Sequence, residues 1–214
     1  MADKVRVYRD LAPLVRAATI AIWAQIGCDG LSLLVTALKL PDRAAENDML
    51  AAGVIALVGL AALIVTLIAA VFVLRSIYRA SNNLHAAGVN GLEFTPGWCV
   101  GWFFIPIACL WKPYQAMKEI WTSSADPLQF SVDRSVLLPI WWALFLASNI
   151  TGTSSARVAL FDHGADAQAM ADMLSTVSTI ITIPEAVILL ILLKQIVAAQ
   201  ERNIHYGNLA ETFS

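Results

Sequence analysis

Four stretches of this chain are apolar for long enough to be read as membrane-spanning helices, and a fifth is apolar but too short. The first span is predicted at about 17–38, closed by Lys39 and Pro41. Ala17, Ala21, Ala24 and Cys28 form a small-residue stripe along it, which lets helix backbones approach closely in lipid. Gln25, Asp29, Ser32 and Thr36 recur at the same spacing, so they share one face and point to a bundle interior rather than to lipid. The second span, 49–77, is rich in Ala and Gly and carries no ionisable residue before Arg75. Ala52, Ala56 and Gly59 suit close packing. Its helix should continue as a wet stalk past Arg79 and stop at Gly88 and Gly91. The third span is predicted at 136–152, with Trp141, Trp142 and Asn149. The fourth, 173–198, carries Ser175, Ser178, Thr182 and Glu185 on one face and an expected kink at Pro184.

Between spans two and three lies 94–121, FTPGWCVGWFFIPIACLWKPYQAMKEIW. Its uninterrupted apolar part, Trp98 to Trp111, is fourteen residues. As a helix that part reaches about 21 Å, short of the ~30 Å hydrocarbon core. It is also too aromatic for a soluble loop. The pattern predicts a re-entrant or interfacial element, opened by Pro96-Gly97, broken near Pro106, and leaving the membrane at Lys112-Pro113-Tyr114. Residues 114–121 then read as an interfacial amphipathic helix. The remaining segments read as polar: a basic amphipathic leader over 1–16, a turn at 39–49, a connector at 122–135, an acidic loop at 153–172, and a frayed tail.

Composition agrees with this pattern. Of 214 residues, 58% are hydrophobic and 14% charged, with a mean hydropathy of +0.68. Ordinary soluble domains are about 25% charged. A fold of this size cannot hide so much apolar surface from water, so lipid must be part of its solvent. The chain is read as one membrane domain over 1–214, all-α, with four transmembrane helices and the re-entrant element. The first span is read as retained, because no small-residue cleavage site follows it. A net charge of −2 without a basic tract argues against a nucleic-acid partner.

The distribution of charge sets an orientation. If 94–121 returns to its starting side, eleven of the fourteen Lys/Arg lie on one face of the membrane and three, Lys39, Arg43 and Arg157, on the other. If it crosses fully, the division is seven to seven. The positive-inside rule then favours re-entrance and places both termini in the cytoplasm.

The same region carries a resemblance. Tyr78-Arg79, Asn83-Leu84, Phe94 to Trp98, Gly101-Trp102-Phe103 and Pro106 to Trp121 follow, nearly residue for residue, a long pattern. That pattern has a Tyr-Arg helix end, Phe-Thr/Ser-Pro-Gly-Trp, Gly-Trp-Phe, and Lys/Arg-Pro-Tyr-Gln-Ala-Met before a closing Ile-Trp. It resembles the signature of the bacterial membrane family catalogued as domain of unknown function 4328. One position departs: Cys109 stands where the family pattern has Asn, so a capping role of that amide does not carry over. The resemblance implies a bacterial multi-span protein, and the chain is expected in the cytoplasmic (inner) membrane. The resemblance implies no activity.

Candidate chemistry is sparse. Asp29 and Glu185 are the ionisable residues deepest in the spans. They lie 13 residues from Arg16 and nine from Lys194, or about 20 Å and about 14 Å from the cytoplasmic ends. If spans one and four are neighbours, the two carboxyls come within a turn of each other and can share a proton. They then form a proton or cation relay, or neutral acids bonded to groups such as Gln25 or Asn149. His85, His163 and His205 lie outside the spans and share no short spacing, so no haem or zinc site is predicted. Cys28, Cys99 and Cys109 fit apolar fillers, and no disulfide framework is expected. No nucleophile or phosphate-binding motif occurs. Trp98, Trp102, Phe103, Phe104 and Trp111 read as membrane anchors and packing, with a lipid or quinone groove as the alternative.

Two functions follow as expectations. The first is a non-enzymatic binding or accessory protein without a cofactor, whose partners are the lipid bilayer and a membrane protein or a second copy of itself. The second is a small proton- or ion-coupled transporter using Asp29 and Glu185.

Overall fold

The computed structural model describes residues 9–38, 40, 48–125, 136–161 and 164–212. The expected start of the leader, most of the first turn, most of the 122–135 connector, and His163 lie outside the described residues, as does the side chain of His205. Among the described residues all regular structure is helical, and three helices are long and apolar enough to cross a membrane.

Helix α1 spans Ala12–Ala37 and begins five residues before the expected 17. The Asp10 carboxylate accepts the Ala12 N–H at 2.9 Å, and Pro13 suits the first turn, so the helix starts where its first donor is satisfied. Helix α2 spans Met49–Ala86 and includes the expected stalk. Asp48 Oδ1 caps it by accepting from Leu50 and Ala51. Gly88, at φ 71°, ends it in a Schellman arrangement: Val89 N donates to the Leu84 carbonyl and Gly88 N to that of His85.

A broken segment follows: α3, Pro96–Gly101, then single 3-10 turns at Trp102–Phe104 and Ala108–Leu110. Ile105 is extended (φ −97°, ψ 114°), as a residue before proline should be, and the break expected near Pro106 lies there. Helix α4, Lys112–Ser124, carries Pro113 in its first turn.

Helices α5, Leu137–Phe161, and α6, Ala165–Thr212, are both longer than predicted. The segment read as a loop at 153–172 is largely helical, and the tail read as frayed is helical to Thr212. Polarity was mistaken there for irregularity. The run from Ala165 to Ala171 has alanine at every second position, which favours helix whatever its hydropathy. Helix α6 continues through Pro184. Helices α1, α2 and α6 are the three apolar enough to span; α5, with its polar run 151–157, is not among them.

The chain divides into two compact units. One contains residues 1–18, 71–140 and 188–214. Its core is dense and includes Leu11, Ile77, Met117, Ile120, Leu192, Leu193 and Ile196, all at most 2% exposed. The other contains 19–70 and 141–187. Its core is sparse, built on Ala21, Ile22, Ala51 and Trp141, while Leu57, Leu60, Leu63 and Leu67 of α2 are each more than half exposed. Leucines left more than half uncovered by protein suit a hydrocarbon solvent, in which burying them against protein gains no hydrophobic free energy.

Candidate functional site

In the first unit the signature residues form a braced element. The buried face of α4, Pro113, Ala116, Met117, Ile120 and Ser124, recurs at three- and four-residue spacing and anchors it. Glu119, on the same helix, accepts the backbone N–H groups of Glu93 and Phe94, the latter at 3.2 Å, and so fixes the approach to α3. Lys112 Nζ lies 3.8 Å from Glu93 Oε1, 5.1 Å over the Phe94 ring and 5.8 Å over that of Trp102. The Trp98 and Trp102 rings meet at 4.6 Å. Gly101 makes room for that pair, since a Cβ there would lie 3.1 Å from the Trp98 ring. Cys109 Sγ donates to the Pro106 carbonyl at 2.9 Å, the kind of local contact an amide at this position would make more strongly. From this base Phe104 and Ile107 project, 72% and 71% exposed, with Leu110 and Trp111 beside them.

Cys99 is fully buried, and its Sγ donates to Ser81 Oγ at 3.4 Å. Burial pushes its thiol up from the ordinary value; the Ser81 bond opposes this and the Glu119 charge adds to it.

A buried amide network ties the unit together. Gln200 Nε2 donates to the Ala80 carbonyl and to Ser124 Oγ, at 3.0 and 3.1 Å. Asn83 Nδ2 donates to Gln200 Oε1 and to the Arg9 carbonyl, while its Oδ1 accepts from Arg9 N. A cavity of about 180 Å³ adjoins it, lined in part by Asn83, Gln200 and Asn203. Sequence reasoning noted Asn83 as a signature residue but missed Gln200 and Ser124, since a lone Gln in a polar tail looks solvated.

The second unit holds both intramembrane acids. Asp29 is 9% exposed; Gln25 Nε2 donates to its Oδ1 at 2.9 Å, and its Oδ2 meets no donor. Thr66 Oγ1 lies 2.6 Å from Gln25 Oε1 and 2.8 Å from the Ala62 carbonyl. Glu185 Oε2 lies 2.7 Å from Ser148 Oγ, which is also 3.0 Å from the Phe145 carbonyl. Ser178 Oγ donates to the Ser148 carbonyl at 2.9 Å, so one member of the predicted polar face of span four meets α5 beside the acid. Asp29 and Glu185 lie in the same unit, on α1 and α6.

A family model described as Domain of unknown function (DUF4328) matches residues 38–198. The chain belongs to this family. The match takes in α2, the whole broken segment, α4, α5 and most of α6. No curated protein and no solved structure matches the chain.

Within this DUF4328 chain the predicted residues separate into two groups. Pro96, Gly97, Trp98, Trp102, Pro106, Trp111, Lys112, Pro113 and Tyr114 belong to the braced element of one unit. Gln25, Asp29 and Glu185 belong to the other, with Thr66 and Ser148 added as partners. Asn149 is exposed and its Nδ2 bonds the Phe145 carbonyl of its own helix, so it meets neither acid directly. A Thr inside an apolar run and a Ser preceding an Asn carry no periodic signal that would have singled them out.

Proposed function

We propose that this membrane-embedded protein is a non-enzymatic, four-span protein of the bacterial cytoplasmic membrane, with both termini cytoplasmic, that acts by binding lipid or a membrane partner. The spans are α1, α2, the first part of α5, and α6, with the segment around Pro106 re-entering the cytoplasmic leaflet between spans two and three. One observation carries the reading: Phe104, Ile107, Leu110 and Trp111 stay exposed on an element braced by the Glu119 carboxylate and by Lys112 over the Phe94 and Trp102 rings. A rigid base with uncovered aromatic and aliphatic tips suits insertion at headgroup depth, where Trp is favoured and each buried methylene contributes about 0.8 kcal/mol. An environment-sensitive fluorophore on Phe104→Cys or Ile107→Cys, in a cysteine-free background in liposomes, should emit as in an apolar medium and be quenched by lipid-borne quenchers. Emission typical of water at both positions overturns the reading.

A second reading, a small proton- or ion-coupled transporter, is favoured by the two carboxyls sharing one unit. Intramembrane acids generally mark ion pathways. Asp29→Asn and Glu185→Gln should then abolish pH-driven flux in proteoliposomes while leaving the folded protein intact. Wild-type flux in both variants removes it.

A further inference from the structure

The cavity beside the buried amides of the first unit has walls of definite hydrogen-bonding sign. Backbone groups fix which way each amide faces. Gln200 turns its Nε2 to the Ala80 carbonyl, which can only accept. Its Oε1 therefore faces Asn83 and takes a hydrogen from Nδ2. Asn83 gives its other amide hydrogen to the Arg9 carbonyl and accepts from the Arg9 N–H. The amide hydrogens of the pair thus end on the Ala80 and Arg9 carbonyls, Gln200 Oε1 and Ser124 Oγ. What Asn83 and Gln200 still offer is oxygen lone pairs. Both side chains are buried, at 2% and 4% exposure, so turning either amide over would orphan polar groups away from water.

Asn203 lines the same cavity and is exposed. Its Nδ2 donates to the Ser124 carbonyl at 3.2 Å, which fixes its orientation as well. Its Oδ1 accepts no hydrogen bond among the described residues. Leu84, Ala87 and Val89 give the cavity its apolar side, and Ser123 adds one hydroxyl. No lining residue is charged. An anion would meet mostly lone pairs and no cation, and a cation would leave water without a counter-charge. The volume, about 180 Å³, exceeds the share of one water and compares with the roughly 150 Å³ cavities that take up benzene.

We propose that this cavity is a binding site for a small neutral molecule with an apolar body the size of a single six-membered ring and one O–H or N–H donor. The donor is accepted by Asn203 Oδ1, and the body lies against Leu84, Ala87 and Val89. The site uses no residue of the exposed broken segment, so it stands or falls apart from membrane insertion there.

Equilibrium dialysis of the whole protein in nanodiscs, with empty nanodiscs subtracted, tests it with phenol and with toluene, a probe of the same shape that lacks the donor. Phenol should bind saturably at one site. Ala87→Trp fills the cavity from a position just past the end of α2, and should abolish the saturable binding of both probes. Val89→Trp, which enters from the other exposed apolar position, should do the same. Asn203→Leu keeps the bulk and removes the acceptor: it should weaken phenol about fivefold, the effect of one neutral hydrogen bond, and leave toluene within about twofold. Benzylammonium and benzoate should both bind more weakly than phenol. Absence of saturable phenol binding, or binding that survives both tryptophan variants, overturns the site. Equal losses of phenol and toluene in Asn203→Leu, or tighter binding of either charged probe, overturns the assignment of its ligand.

Discussion

At the scale of single residues, burial sets which form of a titratable group the fold holds. Cys99 makes the point with a sign that can be tested. Burial favours its neutral thiol, so the folded chain holds that proton more tightly than the unfolded chain does. The associated stability is complete below the ordinary thiol value, about 9. It is lost as the pH rises from there through the raised folded value. Unfolding in detergent should therefore show a falling alkaline limb that is flatter in Cys99→Ala, with neutral-pH stability reduced little by so small a truncation. An identical alkaline slope in both proteins would contradict a proton held by burial. Residues of this kind were poorly legible beforehand. Asp29 and Glu185 stood out because a charge in an apolar run is rare. Gln200, Ser124, Ser148 and Thr66 did not, because their importance lies in what they meet across the fold rather than in their spacing along it.

At the scale of elements, the legible parts were those with a strong local cause. Helix α2 was recognisable from an unbroken apolar run and two terminal glycines, and the break near Pro106 from proline stereochemistry alone. The ends of α5 and α6 were not, because Ser, Thr and Asp mark loops and helix surfaces alike. In α5 and α6 several hydroxyls return to carbonyls of their own helix, as Thr151 does to Ala147 and Thr176 to Asp172. Ser155 instead donates to the Ala171 carbonyl at 2.8 Å and links the two helices near their junction. The broken segment depends on a different device. Two successive backbone N–H groups, of Glu93 and Phe94, end on the one Glu119 carboxylate. Glu119→Gln keeps the shape but offers one acceptor oxygen and turns an N–H₂ toward a donor. It should cost about 1–3 kcal/mol in denaturant titration and speed proteolytic cleavage around Val89 to Glu93. Equal stability and equal cleavage would show that the carboxylate does not hold this approach.

At the scale of the whole molecule, hydropathy, length and charge each constrain a different part of the topology. Hydropathy and length establish three helices able to span, and the family match takes in two of them, α2 and most of α6, together with the broken segment. Neither decides whether that segment crosses. Charge does distinguish the two, because returning 94–121 to its starting side collects eleven of the fourteen Lys/Arg together and crossing divides them equally. Lys118 is the residue on which the two topologies disagree most plainly: it is exposed on α4, beyond the break and before the third proposed span. In a cysteine-free background, Lys118→Cys should resist a membrane-impermeant maleimide in intact cells and react after permeabilisation. Gly164→Cys, between α5 and α6, should react without permeabilisation. Removing a charge from the cytoplasmic side weakens the bias slightly, so Gln115→Cys, exposed on the same helix with no charge lost, must give the same result as Lys118→Cys. Labelling of positions 115 and 118 from outside intact cells would mean that the segment crosses, and would put α4 with its Lys112 and Lys118 on the periplasmic face against the charge rule.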